Sequence, residues 1–89
     1  MPSNDDAKNA SRLRMLLAEI DSGEAMMALV KTSRDPKAVR QYKENALQTY
    51  QACMRLILGT SMSHQQDQEV WNRLAPIRHC LETAGLLQR

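Results

Sequence analysis

Eighty-nine residues with 43% hydrophobic and 25% charged side chains have the balance of one globular domain, which excludes a disordered tail and a second core. A net charge of +2 is too small to demand a nucleic-acid or acidic partner by itself. Only Tyr42, Tyr50 and Trp71 are aromatic, and six methionines supply part of the missing core volume as adaptable rather than rigid packing.

The first dozen residues are polar and acidic, with no apolar segment behind a basic start, so a secretory signal is not expected. No apolar run approaches the ~18 residues of a membrane span. Two cysteines, Cys53 and Cys80, are too few for a disulfide scaffold, and the expectation is a cytoplasmic protein with reduced thiols.

Met1 to Asp5 are expected to fray, with Ser3 or Asn4 in position to cap the first helix, about residues 6–31. That helix shows itself at Leu13, Leu16, Leu17 and Ile20, one apolar face. Then the phase slips. Gly23 stands where the next core residue belongs, and Ala25-Met26-Met27-Ala28-Leu29-Val30 is apolar all round. Asp21 and Glu24 also have capping-box spacing, and a helical Gly costs ~1 kcal/mol against Ala. The spacing predicts a first helix kinked or broken near Gly23; an unbroken helix from Asp6 to Lys31 is the competing reading.

The second helix, 36–58, is the clearest. Asp35 can accept bonds from free N–H groups as N-cap, and Pro36 suits the first helical position. Val39, Tyr42, Ala46, Tyr50, Cys53 and Ile57 recur at steps of three and four; Lys37, Arg40, Glu44, Gln48, Gln51 and Arg55 lie opposite. Gly59 is expected to close it in the left-handed conformation. The third helix, 64–84, begins at Ser63 with Gln66 at capping-box spacing and places Val70, Leu74, Ile77, Leu81 and Ala84 on one face. The periodicity passes through Pro76 without a slip, predicting one helix kinked at Pro76, on the polar side where water satisfies the carbonyl of Asn72. Gly85 ends it, and Leu86-Leu87-Gln88-Arg89 form a tail able to fold back.

Short turns make neighbours antiparallel. The fold class is therefore all-α, an antiparallel three-helix bundle in a single domain, 1–89. In this register Tyr50 faces Trp71 or Asn72, Ala46 meets Ile77, and Cys53 lies beside Val70. Cys53 is then roughly 15 Å from Cys80, beyond the ~7 Å Cα limit of a disulfide.

Catalytic, cofactor-binding and metal-binding residues are not predicted. His64, His79, Cys53 and Cys80 lack zinc spacing, and the adjacent pair His79-Cys80 diverges on a helix. Gly23, Gly59 and Gly85 stand at helix boundaries rather than in a phosphate loop. Carboxylates two apart, Glu19 and Asp21 or Asp67 and Glu69, point apart. Two patches remain. Lys31, Arg34, Lys37, Arg40 and Lys43 form a basic cluster opposed only by Asp35 and Glu44, without stacking aromatics or helix-turn-helix spacing. The segment Ala25 to Val30 has more apolar sides than one small domain shields, with Met26 and Leu29 away from the Leu13/Leu16/Ile20 stripe.

The run Lys31-Thr-Ser-Arg-Asp-Pro-Lys-Ala-Val-Arg-Gln-Tyr42 resembles the helical-hairpin turn of type III secretion needle proteins and their small chaperones. Those families also place Asp-Pro before a helix bearing an aliphatic residue and then Tyr. The resemblance implies a hairpin that assembles with protein partners, and the Pro-containing third helix departs from it.

The function expected from the residues is protein binding or self-association, as in a homodimer, without enzymatic activity. The interface would be Met26, Met27, Leu29 and Val30, with Lys31, Arg34 and Lys37 as a basic rim. The alternative is a nucleic-acid-associated protein using the cluster 31–43.

Overall fold

The computed structural model describes residues 4–87, with side chains from residue 6 onward. Three helices, α1 (Asn4–Thr32), α2 (Pro36–Leu58) and α3 (His64–Thr83), pack into an elongated bundle of 53 × 22 × 18 Å. Their direction follows from which residues meet. Arg12 Nη1 donates to the Gly59 carbonyl (2.8 Å) and Asn9 exchanges two bonds with the Ser61 backbone, so α1 and α2 are antiparallel. Arg73 reaches Asp21 and Glu24, while Val39 and Arg40 share a groove with Ala84 and Leu86, so α3 runs back along α2. The architecture is the three-helix bundle read from the spacing.

Of the two readings at Gly23 the unbroken one forms: α1 is one helix of 29 residues, with no break there. Its glycine answers to packing. A Cβ at Gly23 would come within 2.9 Å of Ile77 Cδ1 and 3.4 Å of Thr49 Cγ2, so here α1 is crossed closely by both other helices. Nor do Asp21 and Glu24 cap anything. One turn apart on a continuous helix, both present carboxylates to the Arg73 guanidinium of α3.

Caps define the other boundaries. Asp35 Oδ1 accepts from Lys37 N (3.0 Å), and Ser63 and Gln66 form the full reciprocal box. Gly59 does not take the expected left-handed conformation; its φ is −102°. The α2 terminus is finished instead by short-range bonds from Gly59 N and Thr60 N, the Thr60 hydroxyl on the Leu56 carbonyl, and Arg12 on the Gly59 carbonyl. Gly85 is the glycine with positive φ, +75°. There Leu86 N reaches back to the Leu81 carbonyl and Gly85 N to that of Glu82, closing α3 as a Schellman motif. The tail folds back as far as Leu87, which packs on the core. Ser3 as a cap, and Gln88 and Arg89, lie outside the described residues.

Leu16, Ile20, Ala46, Tyr50, Cys53, Val70, Leu74, Ile77 and Leu81 form the core. Ala84, assigned to that face, is exposed because α3 has ended. Pro76 is exposed within an uninterrupted α3, on the water side. Replacing Gly23 by Leu tests the packing role. A helix-breaking glycine would gain ~0.8 kcal/mol of propensity from that change. A crossing-point glycine is overpacked, and we expect Gly23→Leu to lose ~2 kcal/mol or more in urea unfolding.

Candidate interaction surface

The hairpin end of the bundle is built from the last two turns of α1, the turn Ser33–Asp35 and the first two turns of α2. Local bonds fix its backbone. The Thr32 hydroxyl donates to the Ala28 carbonyl (2.9 Å), Ser33 N to that of Leu29 (2.9 Å), and Asp35 N to the Ser33 hydroxyl (3.3 Å).

On this frame the apolar segment divides. Met26 and Met27 are half-buried and pack against the core, Val30 is half-buried, and Ala25, Ala28 and Leu29 are exposed, Leu29 at 38%. The expectation that Met26 faces away from the core is therefore corrected. With α2 and α3 on adjacent sides of α1, the covered arc is wider than one stripe, and an unbranched Met at its edge reaches inward. Leu29 lies beyond that reach. Met27 and Lys31 form one wall of an open groove whose opposite wall is Pro76 and Ile77.

Lys31, Arg34, Lys37 and Arg40 are exposed and Lys43 is half-buried. Among the described residues none of the five makes an ion pair; Arg73 and Arg78 make those that form. Lys31 complements the carbonyl end of α1, whereas Lys37 sits on the positive end of α2, where no acidic residue stands in the first turn. A cation there costs a few tenths of a kcal/mol, up to ~1, and Arg40 and Lys43 extend the same positive field. The sequence-derived site residues Met26, Met27, Leu29, Val30, Lys31, Arg34 and Lys37 thus share one end of the molecule. Sequence reading omitted Met15, 55% exposed on α1, and Leu58, 89% exposed at the end of α2. Met15 was legible in principle, since it stands off the Leu13/Leu16/Ile20 face.

No group of three or more His, Cys, Asp or Glu converges among the described residues, and no described helix is long and apolar enough to cross a membrane. Both cysteines are free. Burial, with the Glu19 carboxylate as a second cause, pushes the Cys53 thiol up to about 11. The Glu24 and Asp21 carboxylates raise the already high pKa of Arg73 further. No protein-family model, curated protein or solved structure matches this chain.

The thiols give a direct check on this arrangement. Half-buried Cys80 is expected to react with an aromatic disulfide at mildly alkaline pH, while Cys53 reacts only as fast as the protein unfolds. Equal rates by mass spectrometry would contradict the burial of Cys53. Because folding raises its pKa, the stability from keeping this thiol protonated is complete below the ordinary ~8.5 and is lost as pH rises toward 11. Cys53→Ser should remove that part of the alkaline decline in thermal unfolding experiments.

Proposed function

We propose that this protein is a cytoplasmic protein-binding or self-associating module, without catalytic activity, that works through the hairpin end of its bundle. Met26, Met27, Leu29 and Val30 provide an adaptable apolar contact, and Lys31, Arg34 and Lys37 orient the partner at its rim. The observation that carries the reading is Leu29. Its side chain stands 38% exposed beside half-buried Met26 and Val30, within reach of unpaired cations. Covering a Leu fully is worth ~1.5–3 kcal/mol, and a partner would gain the part still uncovered here.

The five cations without ion pairs support a second reading, an association with nucleic acid through residues 31–43. Counter-ion release makes such binding fall steeply with salt, whereas apolar association survives it. Light scattering after gel filtration at low and high salt separates the two readings, with a labelled duplex added as the nucleic-acid probe.

For the protein-binding reading, Leu29→Asp is expected to weaken association at least tenfold while circular dichroism stays near wild type, because Leu29 is not part of the core. Loss of helicity in this variant would place Leu29 in the bundle's own packing instead. Unchanged association would remove Leu29 from the contact.

A further inference from the structure

α1 carries a second seam. Ser11, Met15, Ala18, Ser22, Ala25 and Leu29 are all exposed and uncharged, and they alternate in steps of four and three. That spacing averages ~3.5 residues, the repeat at which one helix keeps a single line against another. At ~100° per residue the line falls on the side of α1 away from Gly23 and Glu24, which α3 packs against or pairs with, and Asp21 flanks its edge. Neither α2 nor α3 covers it. Its large members are Met15 at 55% and Leu29 at 38% exposure, and the three small residues between them permit close approach of a second helix.

The flanking charges select the occupant. In heptad terms Met15, Ser22 and Leu29 are a positions and Ser11, Ala18 and Ala25 are d positions. Arg14 is then at g and Glu19 at the following e, the two positions that pair across a parallel helix dimer. Arg14 is exposed, Glu19 is half-buried, and neither makes an ion pair among the described residues. The remaining cross-pairs of a parallel dimer set Asp21 against Met26 and Arg12 against Ala7, and the like charges that meet are the two copies of Lys8, at the a position before Ser11 and beyond the end of the seam. An antiparallel dimer centred on Ala18 and Ser22 would instead bring each Glu19 toward the other and each Asp21 toward the other. An antiparallel pair shifted by one heptad would match Arg14 with Asp21 and Arg12 with Glu19 but leaves Leu29 beyond the overlapping seams. Charge together with full overlap of the seam thus favours a second copy of this chain, in register and parallel.

We infer that the outer face of α1 is a homodimer seam, two copies pairing in parallel with Ala18, Ser22 and Ala25 at the contact and reciprocal Arg14–Glu19 bridges along its edges. This rests on the reading of the protein as a self-associating module, and it extends that association from Leu29 at the hairpin end along the outer face of α1. Three changes test it without touching the core. Sedimentation equilibrium of the full chain at about 100 μM should show a dimer, a range suited to micromolar affinity. Ala18→Glu should give a monomer of unchanged helicity. Arg14→Glu and Glu19→Arg should each weaken the dimer about tenfold, the scale of two surface bridges turned repulsive, and mixing these two variants should restore it.

Orientation is read separately. Ala25→Cys in a Cys80→Ser background should cross-link to its own copy under mild oxidation, since an antiparallel pair holds those residues roughly 15 Å apart. A monomeric wild type, a dimer indifferent to Ala18→Glu, or a dimer lacking the Ala25→Cys cross-link overturns the proposal. A dimer that ignores Ala18→Glu yet is broken by Leu29→Asp would overturn this seam while leaving the hairpin-end contact standing.

Discussion

The missing side chain at Gly23 governs how this bundle is put together. A single carbon there would stand 2.9 Å from Ile77 Cδ1 and 3.4 Å from Thr49 Cγ2, so all three helices share one close crossing. The turn around it supplies the lateral restraint. Asp21 and Glu24, on either side of the glycine, both hold Arg73, fixing α3 along the axis of α1. At the far end Asn9 and Arg12 bind the α2–α3 connection directly, which ties the beginning of α1 to the chain that follows α2. Exposed pairs such as those of Arg73 contribute little stability each, so their use is positional.

A crossing on one side of α1 leaves the other side open. Two shorter partners, of 23 and 20 residues, lie on adjacent sides of a 29-residue helix and leave the face from Ser11 to Leu29 exposed. The all-round apolar character of residues 25–30 is resolved accordingly: Met26 and Met27 turn inward, and Leu29 remains in water. Charge is distributed just as unevenly. Acids on α1 neutralise Arg73 at mid-length, while the hairpin end keeps five basic side chains that form no ion pair among the described residues, partly against the dipole of α2. An uncovered apolar face and an uncompensated basic tip are the features a partner would exploit.

Much of the architecture was legible in residue spacing. Asp35-Pro36, the Ser63–Gln66 box, the α2 face and the passage of α3 through Pro76 each follow from local chemistry, and each forms as read. Spacing left Gly23 open between a break and a continuous helix, because a glycine's local meaning and its tertiary meaning look identical in sequence. A break and a close crossing both call for the absence of Cβ, and only the positions of Ile77 and Thr49 distinguish them. Asp21 and Glu24 show the same ambiguity, since capping-box spacing is also the spacing of two acids on one helical face. The hairpin-end residues were found because a run of six apolar side chains stands out in sequence. The seam from Ser11 to Leu29 escaped because four of its six members are Ser or Ala, which periodicity counts as neither core nor charge.

The claim at the centre of this account is that the outer face of α1, left open by the crossing at Gly23, is covered by another copy of the chain. Isotope-filtered nuclear Overhauser spectroscopy on an equimolar mixture of ¹³C-labelled and unlabelled protein addresses it most directly. The expected result is intermolecular contact at the Met15 and Leu29 methyl groups and none at the buried Ile77 methyl. Intermolecular signals absent from Met15 and Leu29 would contradict it.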